Sequence, residues 1–106
     1  MLATGEPERL YSGLSVLVSL AADGEDCAAL LAFRGLQQFL EPPAGDDVFH
    51  RSLRELRDTA LELANLRLFA CAASVETTTV DVARLDGVIS TPRFLREAAG
   101  ERLLFV

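Results

Sequence analysis

The sequence is poor in the residues that build several common kinds of site. It has no lysine, a single histidine, His50, and two cysteines, Cys27 and Cys71, among 106 residues. The cysteines are too far apart for a C-x-x-C pair or a disulfide framework, which predicts free thiols in a reducing compartment. One histidine and two distant cysteines do not form a zinc site. We therefore predict no metal and no cofactor, and we interpret His50 as a solvated residue, with a Cys71–His50 dyad as the alternative.

Positive charge is also scarce. The chain has 10 basic residues, all arginine, against 16 acidic residues, for a net charge of −6. Such a surface repels the phosphates of nucleic acids and anionic lipids. The longest apolar run, from about Leu14 to Ala22, is shorter than the ~20 residues that span a bilayer. The acidic N-terminal segment lacks the basic flank of a signal peptide. We predict a cytoplasmic protein that binds neither nucleic acid nor membrane.

Several catalytic fingerprints are absent as well. The Asp23-Gly24 turn lacks the glycine spacing of a phosphate loop, and no serine-hydrolase or dinucleotide motif occurs. Half of the residues are hydrophobic, which is enough for one compact domain of this length. We predict a single domain over residues 13–106, preceded by an arm of residues 1–12 in which Gly5 and Pro7 interrupt regular structure.

The apolar pattern predicts an α/β order of elements. We predict strands over residues 14–20, 66–75, 87–90 and 102–106, and helices over residues 25–40, 48–63, 81–85 and 92–99. Asp46 or Asp47 would cap the second long helix, Asn65 would end it in a left-handed conformation, and Thr91 would cap the last helix. Helices between strands predict a mainly parallel sheet of four to five strands. The fifth strand depends on whether Asp47-Val48-Phe49 is extended or a strand has been lost there.

The segment from Asn65 to Val75 reads as a buried strand that delivers Cys71 to a run of small residues. Three small residues, Ala72, Ala73 and Ser74, follow this cysteine, and chemistry in open α/β sheets collects outside the carboxyl ends of the strands. Their backbone N–H groups would stabilise a thiolate if they curl into a nest or a helix start. The alternative is that Cys71 is an inert core residue, as free cysteines often are. Cys27, in the first turn of a predicted helix, is a secondary thiol or an ordinary surface residue.

The motif Leu68-Phe69-Ala70-Cys71-Ala72-Ala73-Ser74-Val75 resembles the DsrE/DsrF-like family, the small sulfur-relay proteins that include the TusD-type subunits. The stretches 85–95 and 102–106 resemble the closing half of that family. The resemblance implies a three-layer α/β/α domain that assembles as trimers or hexamers. It also implies that Cys71 carries a persulfide received from one protein and passed to another.

Two functions are therefore open. In the first, the chain is a sulfur carrier or sulfurtransferase, with Arg93 and the backbone after Cys71 stabilising the anion. In the second, it is a non-catalytic oligomeric or regulatory module in which Cys71 is structural. A thiol peroxidase is a third reading, but it would need a more strongly activating set of residues than the sequence displays.

Overall fold

The fold is built on a parallel three-stranded sheet with helices packed against it. The computed structural model describes residues 1–101 and 105–106. In chain order the elements are α1 (Pro7–Ala22), β1 (Cys27–Leu31), α2 (Phe33–Leu40), α3 (Val48–Glu62), β2 (Leu66–Cys71), α4 (Ala72–Val75), β3 (Gly87–Ile89) and α5 (Thr91–Glu97). The α/β class is confirmed. The predicted sheet of four to five strands is wrong in its count, since the described residues form three strands in the order β1-β2-β3.

The register of the sheet aligns the carboxyl ends of its strands. Leu31 of β1 lies opposite Ala70 of β2, and Cys71 lies opposite Ile89 of β3. Asp86 fixes where β3 begins, because its N–H donates to the carbonyl of Leu68 while its carboxylate accepts from the Leu68 N–H at 2.7 Å. The residues that follow the three strands therefore lie along one edge of the sheet.

Both faces of the sheet are apolar. One face packs against α1, α2 and α3 in the main core, and the other packs against Phe94 of α5 in a smaller cluster. β2 buries Leu66, Leu68 and Ala70 on the first face and Cys71 on the second, where Arg67 is exposed. The main core includes Leu10, Leu14, Ala29, Leu31, Leu36, Phe39, Leu53, Leu66, Leu68 and Ala70, and the smaller cluster includes Leu30, Ala32, Cys71, Ile89 and Phe94.

The predicted first strand over residues 14–20 is wrong, because this segment lies in α1. Leu10, Leu14 and Ala21 recur at helical spacing and are buried, while Val16 is 47% exposed. A short apolar run does not distinguish a strand from a buried helix by its periodicity. The segment predicted as an N-terminal arm includes the start of this helix. Ahead of it, the Leu2 N–H donates to Leu30 O and the Leu2 carbonyl accepts from the Ala32 N–H.

The predicted helix over residues 25–40 is wrong in its first half, where the chain forms β1. Alanine and leucine favour helices, but Ala29, Leu30, Leu31 and Ala32 are all buried, two on each face of the sheet. Tertiary burial overrides local preference here. Among the described residues no strand lies between α2 and α3, and residues 47–49 do not form one, since α3 begins at Val48.

The link between α2 and α3 is held by arginine side chains of α3. The predicted cap at Asp47 is confirmed, since its carboxylate accepts from the His50 N–H. Arg54 donates to the carbonyls of Pro43 and Gly45, and Arg57 donates to the last carbonyls of α2, those of Phe39 and Leu40. Side chains of α3 thus satisfy carbonyl groups of this proline-rich link that, in a continuous helix, would accept from backbone N–H groups.

Near the end of the chain, β3 and α5 agree with prediction, but the segment that precedes β3 does not. The predicted helix over residues 81–85 is a turn, closed by Leu85 N–H on Val82 O at 3.0 Å. Ser90, not Thr91, caps α5 by accepting from the Arg93 N–H. Residues 102–104 of the predicted last strand lie outside the described residues. Beyond them, the Val106 N–H donates to Met1 O.

Asn65 acts through its side chain rather than through its backbone. The predicted left-handed conformation is wrong, because Phe33 is the one non-glycine residue with positive φ in the described chain. Asn65 Nδ2 donates to the carbonyls of Ala21 at 2.7 Å and Glu25 at 2.8 Å. This amide therefore joins the end of α1 to the start of β2.

We expect Asn65→Ala to lower the free energy of unfolding by about 1–2 kcal/mol, because two carbonyls lose their donor. Urea unfolding followed by circular dichroism measures the change. Asn65→Asp should be at least as destabilising, since a carboxylate cannot donate to a carbonyl. If either variant unfolds at the parental midpoint, the amide does not hold these segments together.

Candidate functional site

Cys71 lies at the carboxyl end of β2, where the chain turns into α4. It is the residue immediately before the first turn of that helix. Its Sγ atom is 3.5 Å from Thr91 Oγ1, at the start of α5. Its side chain belongs to the smaller apolar cluster, and the residue is 3% exposed. The thiol is thus enclosed by apolar side chains on one side and reached by polar groups on the other.

The polar groups around Cys71 favour its thiolate. Burial raises the pKa of the Cys71 thiol, but hydrogen bonds from the Thr91 hydroxyl, the N–H and hydroxyl of Ser74 and the N–H of Ala73 outweigh burial. The pKa of Cys71 therefore lies below its ordinary value. Since the thiolate is the nucleophilic form of cysteine, the arrangement suits nucleophilic or sulfur-exchange chemistry at Sγ.

Ser74 connects this thiol to the turn that follows β1. The residue is 1% exposed, and its Oγ accepts a hydrogen bond from the Phe33 N–H at 2.8 Å. Because the oxygen is the acceptor there, its own hydrogen remains available for the Cys71 sulfur. Phe33 has φ of 51° and is 59% exposed. A left-handed conformation costs a residue with a side chain about 1–2 kcal/mol. The fold therefore maintains a strained backbone at Phe33 that places its aromatic ring in solvent.

A groove opens at the same edge of the sheet. It has a volume of about 420 Å³ and lies between the start of α2 and the segment that follows α4. Ser74 contributes to it as well as to the surroundings of Cys71. The groove therefore lies next to the thiol, with Ser74 shared between them. It is lined by Phe33, Arg34, Gln37, Ser74, Thr77, Thr78 and Thr79.

The structure brings some of the predicted site residues together and separates others. Cys71, Ala73 and Ser74 form one hydrogen-bonded group, in which Ala72 is the first helical residue. The guanidinium of Arg93 pairs with Glu97 at 3.1 Å, and its side chain is 65% exposed. The groups that lower the pKa of Cys71 are Thr91, Ser74 and Ala73. The anion-stabilising role predicted for Arg93 therefore finds no such contact in the described structure.

Cys27 lies at the opposite edge of the sheet. It begins β1 opposite Leu66, and Cys71 lies five residues further along β2, so about 16 Å of strand separates the two positions. Cys27 also packs with the main core rather than with the smaller cluster. Burial, and then the charges of Glu25 and Asp26, raise its pKa. The structure thus does not bring the predicted secondary thiol to Cys71.

Two residues of the site were not predicted from the sequence. Thr91 was interpreted as a helix cap, but Ser90 caps α5 and leaves the Thr91 hydroxyl to contact Cys71. The alignment of strand ends could have indicated Thr91, because a hydroxyl that follows β3 lies beside the residue that ends β2. Phe33, the first residue of α2, was missed because the strand that precedes it was predicted as part of a helix.

The described residues lack two other features. No group of three histidine, cysteine, aspartate or glutamate residues among them is placed to hold a metal ion. None of their helices combines the length and apolarity needed to cross a membrane. Comparison of the chain with protein-family models gives no match, and no curated protein matches it significantly.

Proposed function

We propose that the chain is a DsrE/DsrF-like sulfur carrier in which Cys71 takes up sulfane sulfur and passes it on as a persulfide. The observation that carries the proposal is the position of Cys71 at the carboxyl end of β2, with Thr91, Ser74 and Ala73 as hydrogen-bond donors to its sulfur. The parallel α/β sheet is compatible with the three-layer domain that the resemblance implies. Such donors would stabilise a persulfide anion as they do a thiolate.

The proposed chemistry needs only thiolate exchange. The Cys71 thiolate attacks the outer sulfur of a donor persulfide, R–S–SH. A new sulfur–sulfur bond forms to Cys71, the donor's own sulfur–sulfur bond breaks, and its electron pair leaves on R–S⁻. An acceptor thiolate then attacks the outer sulfur on Cys71 and regenerates the Cys71 thiolate. Each step conserves sulfur, charge and electrons, and neither needs an oxidant or a metal.

One observation favours the second candidate, a non-catalytic oligomeric or regulatory module. Cys71 is 3% exposed, so a donor reaches its sulfur only if the residues around it move. A buried cysteine that merely fills space would have the same exposure. The two candidates differ in reactivity, since a relay cysteine must exchange sulfur with a partner and a packing residue need not.

We extend the proposal to assembly into a homo-oligomer, a trimer or a hexamer, with protein donors and acceptors of sulfur. Val88 of β3 is 49% exposed and Leu95 of α5 is 39% exposed. A further copy of the chain would cover exposed apolar side chains of this kind. Sedimentation of the intact protein measures the oligomeric state.

The function is tested by incubating the protein with inorganic polysulfide and recording its intact mass. We expect an increase of about 32 Da, the mass of one sulfur atom, which is lost on treatment with a reducing thiol. Peptide mapping should place the sulfur on Cys71. Cys71→Ser should remove the adduct, whereas Cys27→Ser, the matched control, should retain it.

The same experiment can refute the carrier. If Cys71 remains unmodified with excess donor while Cys27 reacts, Cys71 is a packing residue and the module is the better reading. An adduct that Cys71→Ser fails to remove would have the same consequence.

A further inference from the structure

The groove beside Ser74 has a chemical character that distinguishes it from the rest of this acidic protein. Arg34 is the one charged residue in its lining, which contains no aspartate or glutamate. Among the described residues, Arg34 forms none of the ion pairs that hold Arg9, Arg57 and Arg93. A cation without a carboxylate partner, in a protein of net charge −6, is available to a ligand.

Arg34 packs its aliphatic stem close to Gly5. Gly5 leaves room for its stem, because a Cβ at position 5 would lie 2.7 Å from Arg34 Cδ. The Thr78 hydroxyl oxygen, which also lines the groove, accepts from the Val80 N–H at 3.4 Å, and this leaves its hydrogen free to donate. A guanidinium and a free hydroxyl donor suit an oxyanion.

Phe33 adds an apolar component. Its ring is 59% exposed at the groove, although the backbone that presents it is left-handed and tied to Ser74. An exposed aromatic side chain that costs strain to present is a candidate contact for a ligand. The ring next to Arg34 favours a ligand in which an anionic group is joined to a flat apolar group.

We propose that this groove is the binding site that anchors a small anionic sulfur donor, with an oxyanion held by Arg34 and an apolar group on Phe33, beside Cys71. The inference rests on the proposed function and adds a substrate class to it, namely low-molecular-weight thiosulfonates and related anionic sulfane-sulfur compounds. Ser74 links the two parts, because it lines the groove and also contacts the Cys71 sulfur.

The transfer step balances without a further reactant. The Cys71 thiolate attacks the outer sulfur of a thiosulfonate anion, R–SO₂–S⁻. The bond between the sulfonyl sulfur and the outer sulfur breaks, its electron pair leaves on the sulfinate R–SO₂⁻, and Cys71 becomes a persulfide anion. The total charge and the number of sulfur atoms are unchanged, and no proton is taken up.

Binding is tested in Cys71→Ser protein, where sulfur transfer cannot occur, with benzenesulfonate as an unreactive probe. We expect backbone amide shifts in nuclear magnetic resonance at Phe33 and at Thr77 to Thr79. Arg34→Gln should weaken binding about tenfold, as expected for loss of one charge-assisted contact. Arg51→Gln, which removes an exposed arginine of α3, is the matched control. Phe33→Leu should reduce the preference for benzenesulfonate over methanesulfonate.

Transfer is tested separately with benzenethiosulfonate and protein that retains Cys71. The initial rate of persulfide formation should fall about tenfold in Arg34→Gln and not in Arg51→Gln. If Arg34→Gln does not weaken the binding of benzenesulfonate, the groove is not its binding site. Amide shifts confined to another surface would lead to the same conclusion. If sulfur uptake at Cys71 is indifferent to Arg34, the anchoring role fails and the carrier stands. If benzenesulfonate binds as expected but Cys71 never reacts, the anion site stands and the carrier fails.

Discussion

Thr91→Val should slow the alkylation of Cys71 about tenfold at neutral pH, because it removes a hydroxyl donor without a change of shape. Among the groups that lower the pKa of Cys71, the Thr91 side chain contributes most. A hydrogen bond to a charged group contributes about 1.5–3 kcal/mol in a protein. Its loss raises the pKa of Cys71, and the fraction of thiolate at neutral pH falls. Ser74→Ala should act in the same direction.

The measurement is the rate of reaction with iodoacetamide across a range of pH. It is made in a Cys27→Ser background, so that Cys71 is the one cysteine that reacts. The pH profile of the parent should have its midpoint below that of an ordinary cysteine, and Thr91→Val should move the midpoint upward. Thr59→Val is the matched control, since its hydroxyl contacts Glu55 O on α3. A profile of Thr91→Val that coincides with the parent would show that this hydroxyl does not stabilise the thiolate.

Gly35→Ala should lower the free energy of unfolding by about 3 kcal/mol, as overpacking against backbone does. A Cβ at position 35 would overlap the carbonyl oxygen of Leu2 and lie 3.0 Å from Ala3 Cα. These are backbone atoms, and the same Leu2 carbonyl accepts from the Ala32 N–H beside β1. The alanine would therefore have to displace the segment that pairs with the sheet.

Gly13→Ala provides the comparison, because both glycines are buried in helices and both face Leu2. A Cβ at position 13 would lie 2.7 Å from Leu2 Cδ2, the far end of a flexible side chain. The replacement also gains about 1 kcal/mol of helix propensity, so we expect Gly13→Ala to be near neutral. Chemical denaturation of the two variants side by side measures the difference. Equal stabilities would mean that the N-terminal segment does not pack on α2 as described.

Only part of the surroundings of Cys71 could be predicted from the sequence. An apolar strand followed by Ala72, Ala73 and Ser74 predicted a thiol at a strand end with backbone amides close to it, because small side chains permit that approach. Thr91 and Phe33 could not be placed in the same way. Their positions depend on the pairing of β1 and β3 with β2, and therefore on contacts between residues distant in the chain.

The sequence by itself determined the features that depend on neighbouring residues. The apolar character of β2, the break at Pro42-Pro43, the cap at Asp46 or Asp47 and the start of α5 after β3 all follow from local composition. Only the tertiary structure decided that residues 14–20 are helical and residues 27–31 extended. Both segments are short and apolar, so either conformation buries them, and the choice depends on which partner each one packs against. The surroundings of Cys71 follow from that choice, since the strand that ends at Leu31 carries Phe33 to Ser74.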